Sequence, residues 1–299
     1  MLLFRRTAIT VFAVVAVSLL LMSQSTVQAA DPVESITLSP TSKTYKVEAG
    51  QTFDDTLTVL NDGQTAYDFT VYTAPYSVTS GSYDPSFTST AANADAYTWV
   101  QFKQTTWHAE PRETLKIPYT VHVKSNASPG GHYGVIFAEV QPSGADGSTL
   151  ARKKRVGSII YATVNGDVHL SGATLGTNIS WFQSKAPLTV ITSIQNTGNS
   201  DFTARVTYRA SDIFGSVKYT MQSDYVVLPS TTRDITVGWA DAPWFGLYKL
   251  SVTTAFLDQK SAAETYVLIM PIWLILLVGV AVVGGGIYAI WQWSRRTRR

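Results

Sequence analysis

One stretch limits this chain more than any other: from Thr265 to Ser294 no residue is charged. Trp273 and Trp291 bracket its apolar core, Leu274 to Ile290. At about 1.5 Å per residue, a helix between those tryptophans is roughly 27 Å long, close to the hydrocarbon thickness of a bilayer. Tryptophan prefers the headgroup level, so Trp273, Trp291 and Trp293 are expected as interface anchors. Arg295, Arg296, Arg298 and Arg299 follow at once, and the positive-inside rule puts this tail in the cytoplasm. The expectation is a transmembrane helix over 266–293 and a basic tail over 294–299. The protein would then be single-pass in the plasma membrane, N-terminus outside, with lipid as one partner. Ala281 and Gly285 form a small-xxx-small pair that permits close helix approach, although glycine is common in such helices anyway.

The other end reads as a signal peptide over 1–30. Arg5 and Arg6 form its positive region, Thr7 to Met22 its apolar region, and Val27-Gln28-Ala29 supplies small residues before cleavage. An uncleaved anchor is the alternative, but the apolar part is short for a span. With no cysteine in the chain, lipidation is excluded.

All 21 acidic residues lie between the two ends. Of the 23 basic residues, two are in the leader and four in the tail, which leaves 17 and a net charge near −4. That balance argues against a nucleic-acid surface. A secreted chain without disulfides must be held by hydrophobic cores, which suits domains of about 100 residues or more.

The middle reads as β. Short alternating runs such as Thr56-Leu57-Thr58-Val59-Leu60, Phe69-Thr70-Val71-Tyr72 and Leu188-Thr189-Val190-Ile191 are broken by Gly, Pro, Asn, Asp and Ser. A repeat sets the domain count. One strand runs into Asn61-Asp62-Gly63 and resumes at Asp68-Phe69-Thr70. Another runs into Asn196-Thr197-Gly198 and resumes at Asp201-Phe202-Thr203. Asn and Gly both accept positive φ, which lets the chain reverse there. Later, Pro129 and Gly131-His132-Tyr133 match Pro243 and Gly246-Leu247-Tyr248. The expected fold class is all-β: two tandem immunoglobulin-like β-sandwich domains, over 33–170 and 171–262, plus the C-terminal helix. Asp258 to Glu264 would be a juxtamembrane stalk.

Domain one carries an insertion from Tyr72 to Trp99, longer than an ordinary connection. Tyr76, Tyr83 and Tyr97 stand among small polar residues, and with Trp99 they read as a recognition surface for carbohydrate or protein. The other reading is that the rings pack over the sandwich edge. A loop from Gln141 to Ala151 precedes Arg152, Lys153, Lys154 and Arg155. Four successive cations suit an anionic wall polymer or an acidic partner, and equally a solvated edge strand that discourages aggregation.

The path Pro75-Tyr76, Tyr83-Asp84-Pro85-Ser86-Phe87, Trp99, Pro118-Tyr119-Thr120-Val121 and Pro129-Gly130-Gly131-His132-Tyr133-Gly134 resembles the N-terminal domain of bacterial WxL-interacting surface proteins. Val156 to Tyr161 fits that domain's last stretch. The resemblance covers about residues 35 to 170, and the family's layout matches the whole chain. It implies peptidoglycan binding by domain one and partner-protein binding by domain two.

Nothing points to catalysis, a metal or a cofactor. There is no Gly-x-Ser-x-Gly elbow, no His-Glu-x-x-His, no Asp-x-Asp calcium loop and no phosphate-cradling Gly-Lys-Ser. Three classes remain. One is a scaffold or adhesion protein attached to wall polymer and other surface proteins. The second is an assembly chaperone offering an exposed β-edge. The third is an accessory subunit whose span makes the key contacts.

Overall fold

The structure is a computed structural model and describes residues 35–140 and 154–296. The expected leader, the Gln141–Ala151 loop, Arg152, Lys153, Arg298, Arg299 and the Arg296 side chain lie outside the described residues.

Domain one begins with β1 (Ile36–Ser39) and β2 (Ser42–Val47), then β3 (Thr52–Asn61) and β4 (Tyr67–Pro75). A small hairpin follows, β5 (Ser77–Val78) with β6 (Pro85–Ser86), and a 3-10 turn at Ala96–Trp99. The strands β7 (Val100–Phe102), β8 (Thr106–Ala109), β9 (Thr114–His122), β10 (Gly130–Val140) and β11 (Arg155–Val164) complete it. One sheet has the order β1-β3-β9-β7 and the other β2-β11-β10-β4-β8. Domain two repeats the plan with β12 (Gly172–Asn178), β13 (Phe182–Gln183), β14 (Leu188–Asn196), β15 (Phe202–Asp212), β16 (Val217–Val227), β17 (Thr232–Trp239), β18 (Gly246–Phe256) and β19 (Gln259–Ile269). Its sheets run β12-β14-β17 and β13-β19-β18-β15-β16. In both domains the chain starts antiparallel in one sheet and crosses to lie parallel beside the last strand of the other. These are two tandem immunoglobulin-like sandwiches.

Alternation places the cores. Leu57, Val59, Phe69, Val71, Ile117, Ile136 and Ile160 fill the first, and Leu188, Val190, Val206, Tyr208, Leu250 and Val267 the second. β10 breaks the alternation: nearly all of it is buried, because its outer face is also covered. A strand covered on both faces reads as a continuous apolar run, as Gly134-Val135-Ile136-Phe137-Ala138 does.

The repeated asparagines have a different reason from the expected one. Neither Gly63 nor Gly198 has positive φ. Asn61 and Asn196 are instead buried at 0% and 1% exposure. The Asn61 amide donates to the carbonyls of Thr65, Ala109 and Glu110, and its oxygen accepts from Gly63 N–H. The Asn196 amide donates to Ser200 and Val227, and its oxygen accepts from Gly198 N–H. Each side chain staples a turn to a distant segment across the end of its sandwich.

The expected stalk is also corrected. β19 pairs with β18 from Phe256↔Gln259 to Gly246↔Ile269, so Asp258 to Glu264 is a hairpin and strand. Val267 and Ile269 are fully buried, because the alternation that builds the core continues to the strand's end. The helix α1 (Ile272–Arg296) therefore starts later than 266, after only Met270 and Pro271. Ile272–Trp293 is long and apolar enough to cross a membrane. Arg295 stacks its guanidinium 3.6 Å from the Trp291 ring centroid.

Candidate functional site

The two sandwiches are joined by side chains that the insertion and the Gly-rich turn bring together. Gly131 N–H donates to Asn199 O at 2.9 Å, and Tyr133 O–H donates to Asp201 at 2.9 Å. The Asp201 backbone N–H returns a bond to the Tyr133 hydroxyl at 3.1 Å. Such closeness explains the glycines. A Cβ at Gly130 would lie 2.5 Å from Asn199 O, and one at Gly134 would lie 2.5 Å from Tyr97 N. Burial pushes the Tyr133 phenol up and also raises the Asp201 carboxyl, against the opposing hydrogen bond from Tyr133.

The insertion clamps this junction. The turn between β5 and β6 lies along the edge of β17: Gly81 N–H donates to Thr232 O and Gly81 O accepts from Asp234 N–H. Gly81 has φ +86°, which glycine adopts without strain. Tyr83 accepts from Leu228 N–H at 2.8 Å and lies 4.1 Å under the Arg233 guanidinium. Tyr76, Tyr133, Val135, Phe137 and Leu228 form one buried cluster spanning both domains. One edge of domain two is thus occupied by the chain itself.

His132 ties the insertion to β10. Its Nδ1 donates to Asp95 at 2.6 Å and its Nε2 to Ser128 O at 2.8 Å. A carboxylate and a carbonyl can only accept, so the doubly protonated ring is the form that satisfies both bonds. Burial opposes that charge, but the Asp95 bond, the Ser128 bond and the Asp95 charge together hold the pKa above the ordinary 6.5. A raised folded pKa gives stability that is complete below 6.5 and lost as pH rises through the folded value. His132→Gln is expected to cost about 1–3 kcal/mol at acid pH and much less in alkali. Thermal melting across that range checks it; equal losses at both ends would show a neutral ring.

One strand of domain one also has an open edge. β2 pairs with β11 only from Ile159 to Val164. On its far side β11 pairs with β10 from Val164 back to Arg155. Lys154 O accepts from Val140 and Ile159 N–H donates to Thr41 O, so direction alternates along the strand. Arg155 and Gly157 therefore point their N–H and C=O groups away from β10, where no described strand pairs with them. The two faces beside this edge differ. Val156 packs on the first core, while Arg155 lies 4.7 Å over Phe137 and 5.5 Å over Phe87.

The expected contact residues scatter. Tyr76 and Tyr83 are drawn into the domain junction. Trp99 is 1% exposed, packed in the first core and 4.9 Å from the His132 ring, so it does not reach a surface ligand. Of the cation run, Lys154 and Arg155 are exposed at the start of β11, and Arg155 sits beside the open edge. The junction roles of Asn199, Asp201, Leu228 and Arg233 have no local sequence signature, because their partners across the junction are more than 60 residues away. Among the described residues no group of three or more His, Asp or Glu is placed to hold a metal ion.

No family model matches the chain, and no curated protein matches it. Solved structures similar to it include the class 5 fimbriae chaperone CfaA, at 12% identity and TM-score 0.40, covering 80% of this chain and all of that one. The Salmonella enterica SafA pilin in complex with the SafB chaperone aligns at 10% identity and TM-score 0.41, over 80% of this chain and 98% of that one. The CsuC–CsuE chaperone–tip adhesion subunit complex of Acinetobacter baumannii aligns at 8% identity and TM-score 0.39, over 77% and 97%. At such values the architecture rests on the strand pairing above. The resemblance to WxL-interacting surface proteins is overturned: no family model matches, and these similar structures are fimbrial chaperones. The glycines of the Pro129–Gly134 run are accounted for by close approaches, Gly130 and Gly131 to domain two and Gly134 to the insertion at Tyr97, and the ground for a peptidoglycan partner goes with the resemblance.

Proposed function

We propose that this is a membrane-anchored binding protein with both sandwiches outside the cytoplasm, holding a segment of another surface protein as an added strand beside β11. It would act as an assembly chaperone does, by binding and not by catalysis. The observation that carries the reading is the outer edge at the start of β11, which no described strand pairs with. Its backbone groups at Arg155 and Gly157 are the donors and acceptors that strand addition uses. Alternate side chains of an added strand would meet the core rim at Val156 and the aromatic face under Arg155. α1 supplies the anchor, with its arginines on the cytoplasmic side.

A photo-crosslinking benzoylphenylalanine placed at Arg155 in intact cells is expected to give a discrete adduct with a partner protein. The same residue at Lys116, exposed on the opposite sheet, is expected to give none. Gly157→Pro removes one edge donor but also brings a Cβ within 2.9 Å of the Phe137 ring, so in a variant that still melts as the parent does it is expected to abolish the Arg155 adduct. No adduct at Arg155, or one unchanged by the proline, rejects strand addition.

A further inference from the structure

We propose that the helix-proximal end of domain two is seated in the headgroup layer of the same bilayer that α1 spans; this rests on the anchoring reading above. The registers Gly246↔Ile269, Phe182↔Leu268 and Asp212↔Tyr248 bring three loops to the end of the sandwich where α1 begins. Those loops present Trp181 at 71%, Phe214 at 88% and Trp244 at 61% exposure, with Ile213 and Phe245 beside them. From Ile36 to Val164, by contrast, no large apolar side chain is exposed among the described residues. Leu170, Leu175, Ile191 and Leu257 are exposed elsewhere, but the three largest exposures outside α1 fall together at this end, and such patches mark contact surfaces.

The occupant follows from continuity with the helix. Trp244 stacks on Trp273, the first aromatic of α1, with centroids 6.2 Å apart and planes 24° from parallel. A tryptophan at the start of a span sits at the headgroup level. Trp244 shares that level, and the neighbouring loop tips share it with Trp244. Only Met270 and Pro271 separate β19 from α1, so the domain has little slack to lift away. Phe214 is held at its tip by structure: Asp212 accepts from the N–H groups of Phe214 and Ser216, and Gly215 takes φ +84°. Lys185, just beyond β13, is exposed, and a lysine at a membrane surface can extend its ammonium to lipid phosphate. The consequence is orientational. A domain held at its base by a helix and three loop tips presents the rest of the body at a fixed attitude to the membrane.

The chain has no cysteine, so single nitroxide labels report cleanly. The full chain would be placed one copy per lipid nanodisc and labelled at Ser216→Cys, Asp258→Cys or Val280→Cys. Collision with oxygen and with an aqueous nickel chelate is then read by electron paramagnetic resonance. The expected result is that Ser216 loses nickel collisions relative to Asp258, at the opposite end of the domain, and gains oxygen collisions. Replacing Trp181, Phe214 and Trp244 together by serine is expected to return Ser216 to the Asp258 level. If Val280 reports lipid but Ser216 matches Asp258, the seat is wrong and the span stands. If Val280 itself reports water, the anchoring reading fails. Protection of Ser216 only in discs carrying two copies would assign the patch to self-association and overturn the proposal, as would protection that survives the triple substitution.

Discussion

Tyr133→Ala is expected to cost about 4 kcal/mol and to split the melting of the intact chain into two transitions. Tyr133 is 1% exposed and stands where both domains and the insertion meet. Its ring packs on Tyr161 at 5.9 Å, within the cluster that includes Tyr76 and Leu228. Truncation leaves a void flanked by β10 and the turn before β15. It also strips the half-buried Asp201 carboxyl of its phenol donor. A void and an unpaired acceptor add, because neither domain can relax into the gap without breaking the Gly131–Asn199 bond. Tyr133→Phe keeps the ring and is expected to cost only about 1–2 kcal/mol. Calorimetry of the full chain in detergent checks both. If Tyr133→Ala melts like the parent in one transition, the sandwiches are coupled elsewhere.

What the sequence disclosed followed from how local each signal is. Alternation depends on neighbours two residues apart, so the strands, the two sandwiches and the all-β class were readable. The apolar helix was readable for the same reason, but its start was not. Tyr266, Val267 and Leu268 suit a strand and a span equally, and pairing with Leu247 and Tyr248 decides for strand. The aromatic insertion showed that something packs there. It could not show that Tyr76 and Tyr83 pack against Leu228, some 150 residues on, which buries Tyr76 and half-buries Tyr83 in the domain junction. Trp99 misled for a related reason: it follows a polar loop, yet the 3-10 turn swings it into the first core. The open half of β11 was invisible because it is a mismatch of lengths. β2 is six residues and β11 ten, and only the register tells which four are left over.

The repeated asparagines give the sharpest test of side-chain role against backbone role. Asn61→Asp and Asn196→Asp are each expected to cost about 4 kcal/mol, more than the corresponding alanines at about 3 kcal/mol. Aspartate is as well suited as asparagine to a turn, and it tolerates left-handed backbone equally. Were the turn the reason for these residues, the aspartates would be nearly neutral. In the structure, the Asn196 Nδ2 donates to two carbonyls and the Asn61 Nδ2 faces three. A carboxylate there would replace each donor by a negative oxygen pointed at carbonyl oxygens, in a site with almost no water. Alanine merely leaves those carbonyls and the glycine N–H without a partner. Denaturant unfolding of the full chain, with Asn61 variants read in domain one and Asn196 variants in domain two, measures the order. Aspartates milder than alanines at either site would return that asparagine to a backbone role.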